Sequence, residues 1–322
     1  MSTPSLFNSL MDRLILPGAL GFTRFGYECR KRNWTTTDIS MEGQTVVITG
    51  ATSGLGLSTA HSLAKFGARI VMVGRDPKKA KSAQAEVAVA SGNHNISVQL
   101  SDLSLMSDVR DLAARLLDTE DAIHVLINNA AILPAKRELT VEGLEQTFAT
   151  DLLSPYLLTE LLLPRLRASI PARIINVLSG GMYLSGLAVD DLEYEHGVFD
   201  GSRAYARAKR ALMVMTEQWA VELADCGIAV NAMHPGWADT PGVENSLPAF
   251  HSMMRTLLRT PEQGADTIVW LASDPAAQEF SGGFYLDREP HVTTVFPFTG
   301  GDTDLRLELR AKLEEYRARS GA

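Results

Sequence analysis

Six short runs of β-branched and apolar residues recur along the chain, at 45–49, 69–73, 96–100, 123–127, 173–178 and 228–233. Longer segments of helical character separate them, near 55–66, 77–90, 105–118, 141–167, 203–224 and 261–273. The runs are apolar nearly throughout rather than alternating, as in Ile123, Val125, Leu126, Ile127 and Ile174, Ile175, Val177, Leu178. Strands buried on both faces read this way, so the pattern predicts a parallel sheet with helices on either side. Repeated βα units with right-handed crossovers then give an open, doubly wound α/β sheet of about seven strands. The spacing continues to residue 233 without a linker, which predicts a single domain over 41–302. An extension (1–40) precedes it and a helical tail (303–322) follows.

The composition narrows the function classes. A chain with 45% hydrophobic and 21% charged residues has ample core material. Its net charge of −8 argues against nucleic acid as a partner, because neutralising phosphates needs clustered Lys and Arg. Cys29 and Cys226 lie far apart and outside any CxxC pair, which argues against a disulfide framework or a metal site and suits a reducing, cytoplasmic setting. No stretch approaches the ~18 apolar residues of a membrane-spanning helix. Asp12 and Arg13 interrupt the apolar region near the start, unlike a signal peptide.

Ligands of doubly wound sheets bind at the carboxyl ends of the strands. There the first run leads into Thr49-Gly50-Ala51-Thr52-Ser53-Gly54-Leu55-Gly56. Gly50 suits the tight turn, Gly54 lets backbone approach a pyrophosphate, and Gly56 lets the next helix pack on the sheet. The helix N-terminus then favours the anionic phosphates. Three glycines alone are a weak signal, but this set stands between an apolar run and a helix, as a dinucleotide site requires. At the end of the second run, where an acidic residue would bind a ribose 2′-hydroxyl, stands Val73-Gly74-Arg75-Asp76. Arg75 matches a 2′-phosphate, and Asp76 before Pro77 reads as a turn or cap. The pattern therefore favours NADP(H), with NAD(H) as the alternative.

Tyr205 and Lys209 fall four apart in a helical segment and project from one face. A tyrosine hydroxyl ordinarily titrates near pH ~10; a neighbouring ammonium lowers that and suits it to general acid/base work. Together with the strand-end residues this pair resembles the short-chain dehydrogenase/reductase family over roughly 42–290. The matches fall in that family's order: the glycine turn, Asp102-Leu103, Asn128-Asn129-Ala130-Ala131, Asn176-Val177-Leu178-Ser179, Tyr205/Lys209 and His234-Pro235-Gly236. Within it, Ser179-Gly180-Gly181-Met182, Phe199-Asp200-Gly201, 233–243 and 263–267 resemble a narrower group, the family member 12 type.

The resemblance implies a Rossmann-like fold and an oxidoreductase that passes a hydride between the nicotinamide and an alcohol/carbonyl substrate. It assigns Gly50, Thr52, Ser53, Gly54, Leu55, Gly56 and Arg75 to the cofactor. Asp102 would contact the adenine, Asn128 would brace the sheet beside the cofactor with Ala130 lining the ribose side, and Leu103 and Asn129 would also bind the cofactor. Pro235 and Gly236 would also bind the cofactor, and Thr240 would contact the carboxamide. Ser179 would polarise the substrate oxygen, Tyr205 would carry the proton, and Lys209 would bind the ribose and tune Tyr205. Met182 and Trp237 join Ser179 on the substrate side. The substrate expected is small to medium and apolar.

Two departures stand out. Asp151 occupies the place of an asparagine in the proton relay, so a carboxylate is expected near Lys209. Ala131 replaces a common glycine. The rival expectation, which Asp151 supports, is a dinucleotide-binding protein of this fold that senses or scaffolds with little turnover. The resemblance also implies a homodimer paired through helices near 141–167 and 203–224.

The extension carries Leu6, Leu10 and Leu14 at helical spacing, then Phe22, Phe25 and Tyr27, then Arg30-Lys31-Arg32. Residues 1–32 suit either a peripheral membrane contact or a fold back onto the domain or a partner subunit.

Overall fold

A computed structural model of the protein describes residues 20–34, 38–296 and 299–319. A short helix, α1 (Arg24–Lys31), precedes the alternating units. These run β1 (Thr45–Thr49), α2 (Gly54–Lys65), β2 (Arg69–Gly74), α3 (Pro77–Ser91), β3 (Ile96–Leu100), α4 (Met106–Thr119) and β4 (Val125–Asn128). After a turn of helix at Gln146–Phe148 and a π-helical turn at Ala149–Leu153 come α5 (Ser154–Ala168), β5 (Ala172–Val177), α6 (Gly201–Glu222) and β6 (Ile228–Met233). The remainder is α7 (Pro241–Ser246), α8 (Pro248–Met254), α9 (Pro261–Ser273), β7 (Phe284–Leu286), β8 (Glu289–His291) and α10 (Thr303–Arg319).

The strands form one sheet in the order β3-β2-β1-β4-β5-β6-β7-β8. Every pairing is parallel except β7–β8. All six apolar runs are strands, and the sheet has eight where about seven were expected. The antiparallel β8 hairpin departs from the all-parallel reading. Its three residues include Pro290, and so short a run leaves no apolar signature. Asp287 and Arg288 both adopt positive φ, 52° and 62°, which is the backbone a two-residue hairpin of this hand requires.

Successive residues of a strand point to opposite faces, and both faces are covered. Val47 and Val71 join a core with α4, α5, α6 and α10, whereas Val46, Ile48, Ile70 and Met72 pack with α2, α3 and α9. Helix starts follow local chemistry. Asp76 accepts from the amides of Lys78 (2.8 Å) and Lys79 (3.0 Å), capping α3 as its sequence position suggested. Thr260 and Gln263 form a reciprocal capping box at α9.

The tail is part of the core. Leu309 and Leu313 of α10 are fully buried. Tyr156 of α5 donates to Glu314 (2.6 Å), Arg310 pairs with Glu160 (3.1 Å), and Arg306 pairs with Glu217 of α6 (2.5 Å). Helix α10 thus lies along α5 and α6, the two helices named for subunit pairing.

The leucine stripe at 6, 10 and 14 lies outside the described residues. Residues 20–34 fold back onto the domain. Tyr27 is buried, and Trp34 lies under the Arg288 guanidinium, 4.2 Å from its ring centroid. Arg30 of the basic run pairs with buried Asp287 at 2.9 Å. No helix among the described residues is long and apolar enough to cross a membrane.

Candidate active site

The glycine turn is built for close approach. Gly50 and Gly54 have positive φ (64° and 53°), which costs glycine little. A Cβ on Gly56 would strike the Gly50 carbonyl, and one on Gly50 would sit 2.9 Å from the Ala130 backbone. The Asn129 side-chain amide holds the turn, donating to the carbonyls of Thr49 (2.8 Å) and Gly50 (3.3 Å). Thr49, which sequence reasoning passed over, is the other clamp. Its hydroxyl accepts from the amides of Asn129 (2.9 Å) and Ala130 (3.1 Å). A hydroxyl residue closing a strand just before the first glycine was the available signal.

Ser53 begins α2 with no side-chain cap, so the first-turn N–H groups remain available to an anion. The Thr52 methyl packs where a Gly74 side chain would be, and this brings the end of β2 beside the turn. Arg75 follows there and is exposed. A cradle that side chains would fill, an uncapped helix start and an arginine at its margin fit a dinucleotide phosphate. Leu55 is half-buried against α9, and Leu103 is a core residue. The Asp102 carboxylate accepts from the Ser104 amide and hydroxyl (3.0 and 2.8 Å). Thr240 caps α7 and lies 3.3 Å from a Cβ on Gly54, so the loop after β6 closes against the glycine turn.

The middle of the sheet is braced by buried amides. Asn128 donates to Asn176 (2.8 Å) and Thr159 (3.1 Å), and Asn176 donates to Thr216 (2.9 Å). Above this brace, α6 presents Tyr205 and Lys209 on one face, with the ammonium 5.4 Å from the Tyr205 ring centroid. Ser179 lies near enough to Tyr205 to influence its hydroxyl. Asp151 sits on the π-helical turn before α5, a local widening that is common at functional sites. One carboxylate oxygen accepts from the Ile132 amide at 2.8 Å. The other lies 3.7 Å from the Lys209 ammonium, an ion pair too long for a hydrogen bond, and has no other partner. Both side chains are essentially fully buried.

Burial sets the titration of these groups. It pushes the Asp151 carboxyl up to about 6, against the opposing pull of Lys209 and the Ile132 amide. Burial lowers the Lys209 ammonium from its ordinary value, and Asp151 resists that. Tyr205 is raised, first by burial and second by the Asp151 charge, while the nearby Ser179 hydroxyl opposes. In the protein alone burial, and after it the Asp151 charge, raise the tyrosine that its lysine was expected to depress.

Of the other substrate-side residues, Ser179 accepts from the Gly181 amide at 3.2 Å. Met182 is fully buried in the core, its carbonyl accepting from Arg210 (3.0 Å), so it stands behind the Ser179 turn rather than at an open mouth. Trp237 is half-buried, edge-on to Phe22 and Phe250. His234 is a turn residue: its Nδ1 accepts from the Gly236 amide (3.1 Å), and burial holds it neutral. A cleft of about 340 Å³ opens beside the first turn of α6, lined by Leu133, Pro134, Phe199, Asp200 and Leu247 among others. No group of three His, Cys, Asp or Glu side chains among the described residues is arranged to hold a metal ion.

The family model described as short chain dehydrogenase matches residues 44–249. The chain is 42% identical over 279 residues to dehydrogenase/reductase SDR family member 12 of Bos taurus, covering 86% of this chain and 87% of the relative. It is 31% identical over 289 residues to human retinol dehydrogenase 13, covering 85% and 87%. Among solved structures, a putative NAD(P)-dependent gluconate 5-dehydrogenase from Beutenbergia cavernae with bound NADP superposes with a TM-score of 0.64 at 25% identity, covering 78% of this chain and 97% of that one.

Proposed function

The chain belongs to the short-chain dehydrogenase/reductase family, NAD(P)(H)-binding oxidoreductases of the alcohol/carbonyl pair, and we propose that here Tyr205 moves the proton, Ser179 holds the substrate oxygen, Lys209 and Asp151 set their protonation, and NADP(H) is preferred. The observation that carries the reading is the Tyr205–Lys209 face of α6, with Ser179 near Tyr205 and Asp151 paired behind Lys209.

The turn Gly50–Gly56 and the start of α2 would hold the pyrophosphate, and Arg75 the 2′-phosphate. Asp102, Thr240 and Lys209 would face the adenine, carboxamide and nicotinamide ribose. When bound, the nicotinamide supplies or accepts the hydride. The protein's own work is orientation and proton handling. In the reducing direction Tyr205 gives its proton to the carbonyl oxygen while Ser179 hydrogen-bonds the same atom. A charged Lys209 favours the tyrosinate left behind, and an ionised Asp151 weakens that help. An apolar alcohol or aldehyde as substrate is in keeping with the name of the retinol dehydrogenase relative. The upward pull of Asp151 on Tyr205 favours a second reading, a binding protein of low turnover.

One experiment separates these readings. NADPH and NADH are titrated by fluorescence, and NADPH loss is followed against aldehydes and ketones, with Tyr205→Phe as control. The expected results are tighter binding of NADPH than NADH and turnover reduced at least ~100-fold in the variant. Tight binding with no Tyr205-dependent turnover transfers the assignment to the sensor. Absence of binding by either nucleotide overturns both.

A further inference from the structure

The extension ends against the catalytic loops. Phe22 inserts its ring between the turn after β5 and the loop after β6. It stands edge-on to His234, with centroids 4.6 Å apart, and to Trp237, 5.9 Å away. Its carbonyl accepts from the Trp237 amide at 2.8 Å. Two glycines mark how tight this fit is. A Cβ on Gly180, the residue after Ser179, would lie 3.1 Å from the Phe22 ring. A Cβ on Gly236 would lie 2.6 Å from the Phe22 carbonyl, and Gly236 has a φ of 71°.

The segment is pinned on both sides of Phe22. Buried Arg259 donates to the carbonyls of Gly21 (2.7 Å), Thr23 (3.2 Å) and Pro235 (3.2 Å). It also makes a bidentate pair with Asp287 (2.6 and 2.8 Å). All five guanidinium N–H groups are thereby used. Arg30 joins the same carboxylate, and the Arg24 amide donates to the Leu257 carbonyl at 2.9 Å. A loose tail would have none of this: residues 20–31 form a fixed strap.

We infer that this strap walls the substrate side at Ser179 and Trp237, apart from the cleft beside α6, and that Phe22 is a specificity-determining positioning residue, holding the Ser179–Gly180 turn against the His234–Trp237 loop. The inference rests on the oxidoreductase reading for its substrate side, and on packing alone for its positioning side. The ring packs against Gly180, His234 and Trp237, so its influence is on the placement of Ser179 and on the space beside Trp237.

The test uses the full chain with Phe22→Ala and the conservative Phe22→Leu. Removing the ring is expected to raise the ratio of kcat/KM for dodecanal over hexanal at least tenfold, while the NADPH Kd stays within twofold. Leucine is expected to restore most of the ratio. In parallel, hydrogen exchange at residues 181–185 should quicken about tenfold in Phe22→Ala, with β6 unchanged. The Gly181 and Met182 amides there donate to the Ser179 hydroxyl and carbonyl. An unchanged aldehyde ratio, or a parallel loss of NADPH affinity, overturns the specificity role. Unchanged exchange overturns the positioning role. If wild type reduces neither aldehyde, the oxidoreductase reading fails for these substrates, and exchange still decides the strap. If Phe22→Ala does not fold, Phe22→Leu decides, with about threefold faster exchange expected.

Discussion

Two buried ion pairs of this protein are built to opposite specifications. Arg259 and Asp287 are each 1% exposed, meet at 2.6 Å, and have their remaining donors and acceptors filled by Gly21, Thr23, Pro235 and Arg30. Lys209 and Asp151 are as deeply buried, yet stand 3.7 Å apart, and one Asp151 oxygen has no hydrogen bond. Removing charges from water costs several kcal/mol per ion, and only full hydrogen bonding and close geometry repay it. The first pair meets that condition and fastens three segments together. The second does not, and its incomplete compensation is what draws the Asp151 carboxyl up to about 6. A saturated pair is a fastener, whereas an unsaturated one beside Tyr205 would, on the proposed function, tune that residue.

The same change, Asp to Asn, should separate the two. Asp287→Asn leaves two guanidinium groups facing a neutral amide in the interior. We expect a loss of about 3–5 kcal/mol in urea unfolding, the usual cost of breaking a buried pair. A loss below about 1 kcal/mol would show that the two pairs do not differ as described. Asp151→Asn keeps the oxygen that accepts from Ile132 and removes a poorly compensated charge. Stability should fall by less than in Asp287→Asn, because the charge removed was poorly compensated although Lys209 is left without it, while turnover at neutral pH rises several-fold and its alkaline limb shifts to lower pH, because Tyr205 loses a negative neighbour. Unchanged or lower turnover would remove Asp151 from the tuning role.

The smallest effect is a slope. An aspartate titrates near pH ~3.9 in an unfolded chain. Folded Asp151 holds its proton to about 6. Between those values the native state binds more protons than the unfolded one, so this group makes stability fall as pH rises through that window. Lys209, lowered from its ordinary value, acts with the opposite sign below that value. Asp151→Asn should flatten the acid-side slope of unfolding free energy. A slope equal to wild type would mean that the carboxyl titrates normally.

Much of this molecule was legible in its sequence because the signals were local. Six apolar runs became six strands, the placement of Asp76 before Pro77 announced a cap, and Asp151 showed itself as an acid out of place. What was illegible was the partnership of distant residues. Asp287 sits in a turn between two three-residue strands with no apolar pattern of their own. Nothing near Arg259 in the sequence indicates that its donors reach Gly21 and Thr23. The open alternatives for the extension were settled for residues 20–34 by those contacts, which periodicity does not encode. Likewise the charge beside Tyr205 could be anticipated, but the balance between Lys209 and Asp151 depends on a π-helical turn and on depth of burial.

The strap also has a consequence for the order of assembly. Its bonds to Arg259 and Asp287 close loops of 236 and 257 residues. Translation proceeds from the N-terminus at roughly 5–20 residues per second, so the strap is made first and its anchors nearly last. The nucleotide half of the sheet, whose β1, β2 and β4 contacts are nearer in sequence, can form while synthesis continues. The mouth of the site is completed only when the β7–β8 hairpin emerges to receive the first-made segment, so an incomplete chain cannot present a finished cleft.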